Sequence, residues 1–335
     1  MMLKRKGEVT GVDFGPVHCA TGAMGFFGEG YWYHKLPWPL GPDLRGVRLD
    51  AKTMTLLPRD GNMPTKNNDR MTPAQWKPKC IHVTYRSWKH GAALNKVGLT
   101  NPGVVALLER GLWQKRTKPF MLSFMAVSGT VSERLEELRE FVRILKPYLV
   151  HFDADIALQI NFSCPNVGLA HGGGSEFLNE ILAALEIAAE IGIPLLPKFD
   201  VTMVIAHAHI VSEHPACSGI VMSNTVGWNT PGFDWKGIFG TDESPLAHIG
   251  AKGGGGLSGK PLLEPMIEWI RRARSIGITV PILACGGIFH WRDAQRAIDA
   301  GANGIAQGTA YFEAPWLVRP TTAFATQYLI DRKAQ

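Results

Sequence analysis

The sequence predicts an α/β chain folded as a (β/α)8 barrel, one domain over residues 1–335, with an excursion above the C-terminal mouth. Three observations predict it. The 335 residues are 45% apolar, enough for one large core and within the length such barrels reach as a unit. Eight short apolar runs rich in branched residues alternate with amphipathic stretches, the pattern of a parallel sheet with right-handed crossovers. Nearly every run ends in Gly, Asn, Ser or Lys, which core packing does not require but a site at the strand C-termini does.

The runs end near Gly22, Thr53, Ser123, Ser163, Phe199, Asn224, Gly286 and Gly308. Between the later ones the helices are clear. Residues 130–146 open with Thr130 and Glu133 in capping-box spacing and place Leu135, Leu138, Val142 and Leu145 at helical intervals. Pro147 is expected to stop this helix. Residues 175–191 carry Leu178, Leu182 and Leu185 on one face and end at Gly192. Stretches 265–276 and 291–300 end at Gly277 and Gly301. Residues 59–95 are too long for a simple strand–helix loop and hold Trp76 and Trp88 among prolines and lysines. They read as an excursion over the mouth, built on a short antiparallel ribbon, that covers the site, meets a partner or is an ordered decoration.

No run of 18 apolar residues exists, so no membrane insertion is expected, and the polar, basic residues 1–10 do not read as a signal peptide. The formal charge is +6 and the pI about 9.1. Much of the excess is local. Residues 59–96 hold eight basic side chains (Arg59, Lys66, Arg70, Lys77, Lys79, Arg86, Lys89, Lys96) against Asp60 and Asp69. Without an arginine-rich run or nucleic-acid motif, this excess suits an anionic small molecule or a solvated surface better than nucleic acid. The five cysteines are widely spaced with no C-x-x-C pair, which argues against a disulfide scaffold or zinc site and for a reduced, cytoplasmic setting. His207 and His209 stand two apart on an expected helix and face different sides, and His214 lies beyond, so no metal site is expected. His171 reads as a loop residue.

The chemistry concentrates at the strand ends. Residues 161–167 (Asn-Phe-Ser-Cys-Pro-Asn-Val) follow the apolar strand 156–160. Asn161 and Asn166 can both donate and accept, so they suit a planar ring of alternating C=O and N–H groups. A lone cysteine is ordinarily an inert core residue. Cys164, between two amides at a Pro-Asn turn, is instead a candidate base or nucleophile. Lys52 and Lys198 end two apolar strands. Each points into the mouth or snorkels outward, and two together favour a cationic site for an anion. Residues 253–261 nearly match a phosphate-binding loop, with Gly254, Gly259 and Lys260 in register. Pro261 replaces the Ser or Thr that would hold magnesium, which argues against an ATPase. What remains is glycine backbone at close range to a phosphate or ring, or a flexible linker. Residues 284–288 and 307–310 follow strands seven and eight, where barrels commonly hold phosphate through glycine amides.

At these residues the chain resembles the dihydroorotate dehydrogenases, from about residue 15 to 312, most specifically in the 161–166 motif. The resemblance implies FMN as cofactor and oxidation of (S)-dihydroorotate to orotate in pyrimidine biosynthesis. It makes Cys164 the catalytic base, with hydride passing to flavin N5, and Lys198 a catalytic partner beside the flavin. Lys52, Asn95, Gly98, Leu99, Asn161, Asn166, Asn224 and Thr225 would bind substrate. Ala20, Gly22, Lys52, Thr53, Asn161, Lys198, Gly256, Gly286, Gly287, Gly308 and Thr309 would line FMN and its phosphate. A cysteine base resembles the soluble class 1 enzymes; class 2 enzymes carry Ser there and a membrane-associating N-terminal segment. A homodimer is implied, and a flavin/iron–sulfur electron-transfer subunit is the further partner to consider. Residues 59–95 are longer than the usual class 1 excursion, 168–174 replace the usual Pro-Gly, and the 255–259 glycines read more like NAD-linked class 1 or class 2 than the fumarate subtype. Two other readings stay open: an FMN-dependent dihydropyrimidine dehydrogenase component acting on uracil or thymine, and a phosphate-binding barrel without redox chemistry.

Overall fold

The computed structural model describes residues 1–5, 8–84, 91–162, 174–250 and 253–334. Seven parallel strands form one curled sheet. Their spatial order is Val17–Cys19, Gly304–Gln307, Ile282–Cys285, Ile220–Met222, Leu195–Phe199, Ile156–Asn161 and Phe120–Phe124. The open edges at Val17–Cys19 and Phe120–Phe124 are joined by residues 48–54. Arg48 bridges His18, Asp50 bridges Met121 and Met54 bridges Phe124, all parallel. The eighth expected strand is therefore present as a bridged segment rather than a continuous one. Its backbone is diverted: Asp50 N–H donates to Cys19 Sγ at 3.3 Å and Lys52 N–H to the Gly25 carbonyl at 2.9 Å. The result is the (β/α)8 barrel.

Alternate residues along each strand face inward. Met121, Ala157, Leu196, Val221, Leu283 and Ala306 fill the lower interior. Met1, Leu3 and Phe14 join that cluster from the hairpin Met2–Leu3/Val12–Asp13, which closes the N-terminal end. With the bottom plugged by apolar side chains, polar inward positions cluster towards the C-terminal mouth.

The helices follow the apolar periodicity. Val131–Leu145 is capped as expected: Thr130 Oγ1 accepts from Glu133 N–H at 3.3 Å, and Glu133 Oε2 accepts from Thr130 N–H at 2.9 Å. Leu138, Phe141, Val142 and Leu145 bury its inner face. The α-helix ends at Leu145, before Pro147 as expected, and Pro147 sits in the first turn of a following 3-10 segment, Lys146–His151, where its missing N–H costs nothing. Ser175–Ala189, Leu263–Ser275 and Trp291–Asp299 match the remaining expectations within a few residues. Ile205–Glu213 carries His207 and His209. A last helix, Pro315–Ala334, was not marked by clear periodicity; it packs across Trp291–Asp299, with Trp291 and Phe324 rings 5.1 Å apart.

A second, antiparallel sheet stands over the mouth, in the order Val226–Gly227, Gly256–Gly259, Ala92–Asn95, Ile81–Thr84. Half of it is the ribbon expected in the 59–95 excursion. The other half corrects the reading of the glycine-rich stretch as a loop: Gly256–Gly259 is a strand, paired with Ala92–Asn95 on one side and Val226–Gly227 on the other. Glycine suits it because neighbouring backbone packs close. A Cβ on Gly259 would lie 2.5 Å from the Gly91 carbonyl oxygen.

Candidate active site

Between the barrel mouth and this second sheet lies a cavity of about 490 Å³. Its floor is made by strand ends: Ala20 and Gly22, Lys52 and Thr53, Asn161, Lys198, Asn224 and Thr225, Gly286 and Gly287, Gly308 and Thr309. Its roof comes from the second sheet and the turn after it, through Asn95, Gly98 and Leu99. These are residues from eight separate places in the sequence, and every one was expected at a site. Gly256 is the exception among the described residues. It sits one step inside the sheet, where its carbonyl accepts from Asn95 Nδ2 at 3.2 Å, while the following Ser258 and Gly259 line the cavity. Cys164 and Asn166 lie outside the described residues, as do His171 and Trp88.

The amides are oriented by their neighbours. Asn224 Nδ2 donates to Asn161 Oδ1 at 2.8 Å, and Asn224 Oδ1 accepts from Thr225 N–H at 3.0 Å. Both ends of the Asn224 amide and the oxygen of Asn161 are thus assigned by chemistry, which fixes how the two amides are turned. Lys52 Nζ donates to the Thr100 carbonyl at 2.8 Å and lies 4.9 Å from the Phe26 ring centroid. Burial pushes its ammonium down to about 8, only partly offset by the distant Glu29 carboxylate. Lys198 Nζ donates to Thr21 Oγ1 at 3.1 Å. Neither lysine snorkels outward. Cys285 also lines the cavity, but burial raises its thiol, with Lys198 only partly opposing, so it is a poor source of thiolate.

The glycines at the ends of the last two strands leave backbone exposed. Gly287 has φ +66°, and a Cβ there would meet the Gly259 carbonyl oxygen at 2.9 Å; one on Gly308 would meet Ala20 Cβ at 3.0 Å. Among the described residues, the backbone N–H groups of Gly287, Gly308 and Thr309 donate to no protein acceptor. Three amides that line one cavity together with two lysines are an arrangement able to hold an anion.

Several lining residues were not anticipated: Thr21, Tyr31, Tyr33, His82, Ser258 and Phe312. Tyr31 and Tyr33 stack with ring centroids 5.7 Å apart, and the exposed Trp32 and Trp76 meet at 4.1 Å beside them. The cluster of aromatics and prolines in residues 31–39 was the available signal, though it has no strand or helix period to place it. Burial raises the Tyr31 hydroxyl to about 12, so it stays a neutral donor.

Comparison with known proteins gives the same picture. Residues 73–322 match the family model described as dihydroorotate dehydrogenase. The catalytic subunit of dihydroorotate dehydrogenase B (NAD(+)) from Staphylococcus carnosus is 31% identical over 234 residues, covering 68% of each chain. Dihydroorotate dehydrogenase A (fumarate) from Limosilactobacillus reuteri is 30% identical over 292 residues, covering 85% of this chain and 81% of the relative. In fold, the chain is similar to the crystal structure of DHODH from Eimeria tenella in complex with ferulenol, with a TM-score of 0.64 at 18% identity, over 95% of this chain and 82% of that one. No helix among the described residues is long and apolar enough to cross a membrane. The converging amides, the paired lysines, the glycine cradle and the family match over most of the barrel agree: the chain belongs to the dihydroorotate dehydrogenase family.

Proposed function

We propose that this protein oxidises (S)-dihydroorotate to orotate with FMN as its cofactor, the whole chain 1–335 acting as one catalytic domain. The observation that carries the reading is the pairing of two ring-reading amides, Asn161 and Asn224, with two lysines at the floor of one cavity. A pyrimidine carboxylate presents alternating C=O and N–H groups and one negative charge, which that set complements. Asn95 and Asn166 complete the amides, and the backbone at Gly98 and Leu99 faces the carboxylate end.

The residues also fit the cofactor. The cradle of Gly287, Gly308 and Thr309 amides suits its phosphate, the glycines at 286–287 and 308 admit it close to backbone, and Lys52 and Lys198 supply positive charge. When bound, FMN would supply the hydride acceptor for C6 of the substrate. The chain's own residues do the rest. Cys164 takes the proton from C5. The asparagines hold the pyrimidine in register, lowering the entropy that must be lost at reaction. Lys198 offsets the negative charge that accumulates in the cavity, a preorganised electrostatic effect. Tyr31 and Tyr33, which line the cavity, would help to exclude water. Relatives named for NAD(+) and for fumarate match at 31% and 30% identity, and adding each compound to the reduced protein identifies the acceptor of the second half-reaction.

Two predictions arise here. Asn224→Ala or Asn95→Ala should weaken orotate binding by about 10-fold or more, one to two hydrogen bonds in a buried site, and FMN binding by less than about 3-fold. Titrating orotate and FMN separately against each variant checks this; equal loss of both would contradict a substrate role. The second concerns pH. Lys52 titrates near 8 and is cationic only below that. Orotate affinity should therefore fall as pH rises through about 8, and Lys52→Met should flatten the profile. An unchanged pH profile in the variant would remove Lys52 from the anion site. The conversion itself is tested by following orotate formation with wild-type protein, FMN and an artificial acceptor.

A further inference from the structure

A chain of polar side chains, all buried except the half-buried Thr21, runs from the cavity into the barrel interior. Lys198 Nζ lies 3.1 Å from Thr21 Oγ1, Thr21 Oγ1 3.0 Å from Gln159 Oε1, Gln159 Nε2 2.8 Å from Asp50 Oδ2, and Asp50 Oδ1 2.7 Å from His18 Nδ1. His18 Nε2 ends the chain on the Gly15 carbonyl at 3.3 Å. His18 and Gln159 are 0% exposed, Asp50 1% and Lys198 4%. These four stand on strands or on the segment that closes the barrel, at inward positions that shape alone would fill with apolar side chains. Buried polar groups at this density cost stability unless each is satisfied.

Donor chemistry gives the chain one direction. Asp50 Oδ2 can be met only by the Gln159 amide nitrogen, so Gln159 Oε1 must turn to Thr21. A carbonyl oxygen accepts, so the single hydroxyl proton of Thr21 is committed to Gln159. Only a lone pair of Thr21 is left for Lys198. The far end fixes the near one: Lys198 always meets an acceptor and is held as a donor with its Nζ at the cavity floor.

We infer that Thr21, Gln159 and Asp50 are positioning residues for Lys198, a relay that keeps its ammonium oriented towards the flavin ring and so sets how well the cavity stabilises negative charge on that ring. The relay rests on the flavin reading of the cavity. None of the three needs to touch the substrate.

The test uses the FMN-loaded protein and sulfite, which adds to oxidised flavin and leaves the ring negatively charged, with no turnover involved. Thr21→Val keeps the shape and removes the link. It should weaken sulfite binding by about 3- to 10-fold, up to the value of one hydrogen bond to a charged group, and slow flavin reduction by dihydroorotate by a similar factor while the KM moves by less than about twofold. Thr21→Ser keeps the hydroxyl and should restore sulfite affinity to within about twofold of wild type. Gln159→Met breaks the relay one step outside the cavity and should shift sulfite binding in the same direction, so a T21V protein that folds poorly does not decide the matter. Wild-type sulfite affinity in T21V or, if T21V folds poorly, in Gln159→Met overturns the relay. So does an equal loss in T21V and T21S, which would mark a packing effect. If wild-type protein bleaches with dihydroorotate while sulfite binding ignores these variants, the relay fails and the proposed function stands. If the variants shift sulfite binding but dihydroorotate does not bleach the flavin, the substrate assignment fails and the relay stands.

Discussion

Replacing Cys164 by alanine is expected to give a protein that still takes up FMN and still binds orotate, but whose flavin is reduced by dihydroorotate about 10²- to 10⁴-fold more slowly, the usual contribution of a positioned general base. The barrel supplies the reason. The strand Ile156–Asn161 delivers Asn161 to the cavity floor, and the helix that starts at Ser175 returns the chain to the outer layer. In the sequence Cys164 is three positions beyond Asn161. The alternative thiols are poorly suited. Burial raises Cys285 despite the nearby Lys198, raises Cys217 to about 12 and holds Cys19 far above its ordinary range. With a thiol of ordinary pKa about 8.5 as base, reduction should also accelerate as pH rises towards that value. Stopped-flow bleaching as a function of pH checks both points. Wild-type speed in Cys164→Ala would move the base elsewhere.

Lys198→Met should have the second largest effect, slowing flavin reduction by about 10²- to 10³-fold, comparable to loss of one preorganised electrostatic contact. Methionine keeps most of the stem's volume, so the packing against neighbouring strands survives. What goes is a cation at the cavity floor, 4% exposed, that cannot be replaced by water at equal strength. Lys52 is not a substitute: it is anchored on the Thr100 carbonyl and loses its charge near pH 8, whereas Lys198 is held by the hydroxyl of Thr21. A variant that keeps the reduction rate but loses orotate affinity would recast Lys198 as a substrate ligand.

The barrel was legible because its repeating unit is local. Apolar runs of four to six residues and capped amphipathic helices carry their own period, and all eight barrel positions fell where the runs ended. The cavity floor was legible for the same reason: a polar residue ending an apolar strand, such as Lys198 or Asn161, has few places to point. The roof was less so. Gly256–Gly259 has the composition of a loop, and only the close approach of Gly91 and the partners at Ala92–Asn95 and Val226–Gly227 make it a strand. Those contacts come from residues far away in sequence. Tyr31 and Tyr33 belong to an irregular segment with no period to read. Thr21 and Gln159 carry no signal in the sequence, because a hydroxyl beside a glycine, or one polar residue in an apolar strand, acquires meaning only when three-dimensional neighbours complete its hydrogen bonds. The closing segment 48–54 was placed correctly as a barrel member, but its broken ladder depends on side-chain acceptors such as Cys19 Sγ, which no propensity encodes.

The most direct test of the account is to mix the FMN-loaded protein with dihydroorotate in the absence of oxygen and follow the visible flavin band. The band should bleach, and orotate should appear in equal amount. A yellow protein that stays yellow would contradict dihydroorotate as the substrate, and a protein that cannot be loaded with FMN at all would contradict the flavin chemistry on which the mechanism rests.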